Sequence, residues 1–112
     1  MHNVLMDSAK IKKKERFISL LTEIASSFIR FEVDPKALVT VIKTELSEDL
    51  RTVKFLISVF PKEKEREILS GLNKKNSDLK KYLKEKTRMK FLPAAFFELD
   101  RSWEIELKID KI

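Results

Sequence analysis

The spacing of apolar residues changes between Ser8 and Pro61, and that change limits the chain to a mixed fold. In residues 8–31, Ile11, Phe17, Leu21, Ile24, Ala25, Phe28 and Phe31 follow the periodicity of one helix face. Ser8 or Asp7 is placed to cap the start, and Pro35 enforces a stop soon after the pattern ends. At ~1.5 Å per residue the helix would run about 36 Å, so its first turns, residues 10–16, are expected to overhang a small domain. Residues 38–45 are then rich in β-branched side chains, and residues 51–60 alternate, with Val53, Phe55, Ile57 and Val59 on one face. The link Leu46-Ser47-Glu48-Asp49-Leu50 is short and polar. It predicts an antiparallel hairpin whose second strand ends at Pro61.

Helical spacing returns in residues 62–72, with Ile68, Leu69 and Leu72, and again in residues 78–86, with Leu79, Tyr82 and Leu83. Between them Asn73-Lys74-Lys75-Asn76-Ser77 interrupts the pattern. Asparagine tolerates left-handed backbone, and Ser77 or Asp78 is a good N-cap, so a kink or tight turn is expected at residues 74–78. Residues 90–99 read as a last strand carrying Phe91, Phe97 and Leu99, with Pro93 confined to an edge or bulge. The tail, residues 100–112, fits alternation (Trp103, Ile105, Leu107, Ile109) and a short helix (Ile105, Ile109, Ile112) equally. The order α-β-β-α-α-β predicts a two-layer α+β domain in which helices cover one face of a three-stranded sheet. One domain over residues 1–112 is expected, with residues 1–7 flexible.

Several chemistries lack the residues they need. The chain has no cysteine, which removes thiol catalysis, disulfides and cysteine-based zinc sites. Its one glycine, Gly71, cannot build a phosphate-cradling loop, which needs several at fixed spacing, and it reads as a packing or helix-end residue. The single histidine, His2, lies near a terminus prone to fraying, so no Ser-His pair is available. Glu45, Glu48 and Asp49 cluster at the proposed turn as solvated residues. No enzyme activity, metal or cofactor is expected. No apolar run approaches the ~20 residues of a membrane span, and the first residues lack a signal-peptide stretch, so a cytoplasmic protein is expected.

Net charge is +6 and unevenly distributed. Residues 1–16 hold five basic against two acidic residues, and residues 62–90 hold eleven against five. The intervening residues 17–61 hold five against six, and residues 91–112 three against five. Two positive segments on a bipolar molecule attract and orient a polyanion, although Lys/Glu mixtures also simply solvate helix surfaces.

The element order, with its break near Asn76, resembles the type II K-homology fold. Local runs narrow the likeness. Asp34-Pro35-Lys36-Ala37-Leu38-Val39-Thr40-Val41 is similar to the Asp-Pro run and first strand of the ribosome-binding factor A family. Ser47-Glu48-Asp49-Leu50, then Val53-Lys54-Phe55 and Ser58-Val59, resemble its hairpin. Leu72-Asn73, Leu79 and Leu83 match its paired helices, and Leu92-Pro93, Phe97 and Asp100-Arg101-Ser102 resemble its last strand and following turn. The resemblance implies a non-catalytic assembly factor. It would bind the immature small (30S) ribosomal subunit and its 16S rRNA and assist late rRNA maturation, above all for growth in the cold. Two departures stand out. Like the family, the chain lacks the Gly-x-x-Gly loop of most K-homology domains; it reads Lys75-Asn76-Ser77 where the family usually has Ala-x-Gly, and its C-terminal tail is shorter than in many relatives.

Without that loop, binding would rest on phosphate contacts and shape. The candidates around the kink and third helix are Lys74, Lys75, Asn76, Ser77, Lys80, Lys81, Lys84, Lys86, Arg88 and Lys90. A second patch comprises Lys10, Lys12, Lys13, Lys14 and Arg16. With Leu79 and Leu83 facing inward, Lys80, Lys81 and Lys84 should face solvent. The free chain is expected to be a monomer. The rival reading is a basic protein-interaction module that binds an acidic partner without rRNA.

Overall fold

The structure is a computed structural model that describes residues 2–102, with side chains from residue 11 onward. Its elements are α1 (His2–Glu32), β1 (Leu38–Leu46), β2 (Thr52–Phe60), a 3-10 turn (Lys62–Lys64), α2 (Glu65–Lys74), α3 (Asn76–Lys86) and β3 (Ala94–Leu99). The order is the expected α-β-β-α-α-β, and the class is α+β. The readings of the tail that involve Trp103 and beyond lie outside the described residues.

β2 is the central strand, antiparallel to β1 and parallel to β3. A parallel partner requires a long crossover, which the two helices between β2 and β3 supply. The alternation of β2 works as expected: Val53, Phe55, Ile57 and Val59 all point into the core. Phe55 meets Phe97 of β3 with ring centroids 5.5 Å apart. β1 is less regular. Its register slips between Val41 and Lys43, so Val39 and Val41 face inward before the bulge and Thr44 and Leu46 after it. The extra residue, Ile42, is left exposed.

Helices α1, α2 and α3 close the inner face of the sheet through Leu21, Ile24, Ala25, Phe28, Ile29, Leu72, Leu79 and Leu83. A half-buried hydroxyl pair links α1 to β1. Thr22 donates to the Ile18 carbonyl at 2.7 Å, so at the 2.6 Å contact between the two hydroxyls Thr44 must be the donor. The opposite sheet face carries Lys54–Glu98 at 3.0 Å and Lys43–Glu45 at 3.7 Å. Hydrogen bonding to Glu98 raises the Lys54 pKa. Pairs this exposed add little stability.

Two expected boundaries move, and Gly71 takes a different place. α1 starts at His2 and not at Ser8, because no glycine or proline precedes Pro35 to interrupt it. Its predicted apolar face is buried only in the middle: Ile11 and Phe31 are exposed, while Ile29 joins the core. β3 starts at Ala94 and not at Lys90, immediately after Pro93, whose ring nitrogen has no proton for a ladder. Phe91, counted as a strand residue, therefore lies outside the sheet. Gly71 is neither a helix end nor a packing contact: it sits inside α2, and a methyl added there would meet nothing within 4 Å.

Candidate nucleic-acid interface

The junction between α2 and α3 is a single residue. Lys75 has φ −103° and ψ 20°; its N–H donates to the Leu72 carbonyl at 3.0 Å and its carbonyl accepts from Leu79 at 2.9 Å. The break thus takes place in the sparsely populated bridge region of backbone space. Asn76 is already helical and not left-handed, and neither Ser77 nor Asp78 caps α3. A backbone with no positive φ at this point has no need of glycine, so the departure at Lys75-Asn76-Ser77 leaves the bend intact.

Tertiary contacts fix how the junction is held. The Asn73 amide spans the outer edge of β3, donating to the Phe97 carbonyl and accepting from the Phe97 N–H, both at 3.0 Å. Lys75 forms an ion pair with Glu32 at the end of α1. Seven residues on, Tyr82 packs against Phe28 with centroids 6.0 Å apart, so α3 runs back along α1 toward the start of that helix.

With Leu79 and Leu83 buried, the wheel of α3 places Ser77, Lys80, Lys81 and Lys84 within an outward arc of about 100°. All four are exposed, as their spacing predicts. Asp78 and Glu85 fall to one side, where with Phe28, Phe31, Glu32 and Lys81 they border a shallow groove between α1 and α3. One flank of α3 is therefore mostly acidic, with Lys81 at its border, and the outer arc basic. Lys74, Lys80, Lys81, Lys84 and Arg88 have no ion-pair partner among the described residues. Lys86 is exposed but lies over the Tyr82 ring, 5.5 Å from its centroid. Lys90 lies over the Phe91 ring at 5.9 Å.

The second patch stays separate. Residues 11–16, including Lys12, Lys13, Lys14 and Arg16, are exposed on every side of α1, so this stretch projects beyond the domain body as expected. Lys12 lies about 24 Å along the helix axis from Phe28, where α3 packs. The Lys10 side chain lies outside the described ones. What the periodicity could not reveal is that Lys75 is engaged by Glu32, and that Arg51 of the hairpin turn comes to lie near Lys90 and Phe91.

The chain matches the family described as Ribosome-binding factor A over residues 12–112. The chain belongs to the ribosome-binding factor A family. The family's protein from Bdellovibrio bacteriovorus is 32% identical over 95% of this chain and 79% of its own length. That of Halothermothrix orenii is 33% identical over 92% of this chain and 87% of its own. The crystal structure of ribosome-binding factor A from Thermus thermophilus superposes with a TM-score of 0.69 at 25% identity, covering 77% of this chain and 93% of that one. A homology model of the Thermus thermophilus factor, fitted into the cryo-EM map of a 30S complex, superposes at 0.61 with 26% identity, covering 79% of this chain and 91% of its own. Ribosome-binding factor A structures thus share the fold that presents the α3 arc. Among the described residues no helix is long and apolar enough to cross a membrane.

Proposed function

We propose that this chain is a non-catalytic, cytoplasmic assembly factor that binds the immature 30S subunit and its 16S rRNA and assists late rRNA maturation. The observation that carries this reading is membership in a family one of whose members has been fitted into a 30S complex map. The charge geometry supports it. Lys80, Lys81 and Lys84 are exposed on one arc, with Lys74, Arg88 and Lys90 beyond its ends. Their reach suits the phosphates of a folded RNA, and lysines supply charge without reading sequence. Lys75 and Asn76 shape the junction, and Lys12, Lys13, Lys14 and Arg16 give a projecting second contact. The free chain is a monomer in this reading.

The test is sedimentation of a cell extract through a sucrose gradient, with detection of this protein. Association predominantly with free small subunits is expected. Equal occupancy of polysomes, or sedimentation away from small-subunit rRNA, would exclude the assembly role.

A further inference from the structure

Phe91 is the most exposed large apolar side chain among the described residues, at 80%. Its place is fixed by the sheet. The Ala94 N–H donates to the Arg51 carbonyl at 2.8 Å, and the parallel register pairs Ala94 with Thr52. The residues leading into β3 therefore run beside the hairpin turn. Leu50, Arg51, Met89, Lys90, Phe91 and Leu92 line an open concavity of about 710 Å³ there.

The chemistry of this concavity is aromatic and cationic. Lys90 lies over the Phe91 ring, and Arg51 contributes a second cation across the concavity. Arg88, three residues before Phe91 in the chain, is exposed but does not line the concavity. The one acid on the rim, Asp49, is turned to its own loop. Its carboxylate accepts from Ser47 Oγ at 2.7 Å and from the Arg51 N–H at 3.1 Å. Those bonds, the Ser47 one foremost, together with the charge of Arg51 nearby, hold its pKa below the ordinary value. Leu50 adopts φ 61°, a conformation rare for leucine, and remains 48% exposed beside the ring. Phe31 and Phe60 are comparably exposed, at 79% and 72%, so what marks Phe91 is the lysine over its ring and the concavity it shares with Arg51.

We propose that Phe91 is a stacking platform for an unpaired base of single-stranded RNA, with Lys90 and Arg51 on the flanking phosphates. An exposed aromatic face flanked by cations is how proteins bind single strands without reading sequence. The inference rests on the reading of this chain as an RNA binder. It adds a contact that the α3 lysines cannot make, because stacking separates unpaired from paired RNA and point charges do not.

The experiment compares F91A, F91L and F91W with the unaltered chain, using a short single-stranded RNA and a duplex of the same length. F91A and F91L should weaken single-strand binding by roughly 5- to 150-fold and leave duplex binding and the salt slope unchanged. F91W should retain single-strand binding. An exposed ring can be replaced without unfolding the domain, which circular dichroism checks. Single-strand binding unaltered in F91A and F91L, or equal losses on both RNAs, would overturn the platform. Variants that bind RNA normally yet no longer sediment with small subunits would assign the ring to a protein contact instead, overturning it as well. An unaltered chain that binds neither RNA would overturn the RNA-binding reading itself.

Discussion

Asn73 and Asn76 stand three residues apart on either side of one helix junction, and their amides are in opposite states. The Asn73 amide is saturated on both its oxygen and its nitrogen by the backbone of Phe97. The Asn76 Oδ1 is buried with no hydrogen-bond partner among the described residues. The contrast extends outward from each. On the α2 side the polypeptide is tied to β3 and the core. On the α3 side it presents Lys80, Lys81 and Lys84, which have no partner within the described protein. Both helices enter the core, α2 through Leu72 and α3 through Leu79 and Leu83, but only α3 also turns an unpaired basic arc to solvent. Losing the Asn73 tie should therefore cost stability, and losing the outer lysines of α3 should cost binding while leaving its inner face in place.

The largest effect on stability should come from the saturated side. Asn73→Ala leaves the Phe97 N–H and carbonyl without partners at a half-buried strand edge. The expected loss is about 2–3 kcal/mol, or roughly 10–20 °C in Tm for a domain of this size. Asn73→Asp should do no better, because its carboxylate would face the Phe97 carbonyl oxygen that the amide nitrogen now satisfies. Thermal and urea unfolding measure both. If Asn73→Ala unfolds within a few tenths of a kcal/mol of the parent, the tie is dispensable and the contrast fails on this side.

The next effect belongs to binding. With about five phosphate contacts, rRNA affinity should fall with salt at a log–log slope of about −3.5 to −4.5. Replacing Lys80, Lys81 and Lys84 together with alanine should flatten that slope by up to about 2–3 units. Stability should hardly change, since alanine suits an exposed helix position. The matched control, Lys36, Lys43 and Lys54→Ala, removes the same charge from elsewhere, including the Lys54–Glu98 pair on the far sheet face. Equal weakening by both triple variants at every salt concentration would mean that only net charge matters, and the α3 arc would not be the site.

How much of this contrast can be read from sequence depends on the range of the interactions. The inward row of β2 and the outward lysines of α3 are legible because periodicity alone sets which side of an element a residue faces. Lys75 is different. Its partner Glu32 lies 43 positions away, and only the packing of α3 against α1 brings them together. The break itself was signalled by Asn76 and Ser77, but as a left-handed turn with a cap. The chain instead bends at one residue held by the contacts of Asn73 and Lys75 on either face. The bulge at Ile42 is hidden for a related reason: a run of β-branched residues has no alternation for a register slip to disturb. At β3 the relevant signal was present in Pro93. It separates Phe91 from the strand, and the apolar pattern of residues 90–99 does not by itself show that interruption.

The smallest effect should carry the opposite sign. Asn76 opens α3 with a buried carbonyl oxygen that accepts no hydrogen bond from the described residues, at a position where its own helix propensity is modest. Asn76→Ala removes an acceptor whose burial costs free energy and substitutes the best helix former. It should therefore stabilise the domain by about 0.5–1 kcal/mol. Asn76→Asp separates the two contributions. A carboxylate in the first turn gains from the helix dipole but keeps an oxygen in the buried position, so its stability should fall below that of the alanine variant. Urea unfolding at neutral pH gives both differences. A loss of more than about 1 kcal/mol in Asn76→Ala would show that the amide is hydrogen-bonded in solution, for which a bound water is the simplest partner. The two asparagines would then be alike, and the junction would be anchored on both sides.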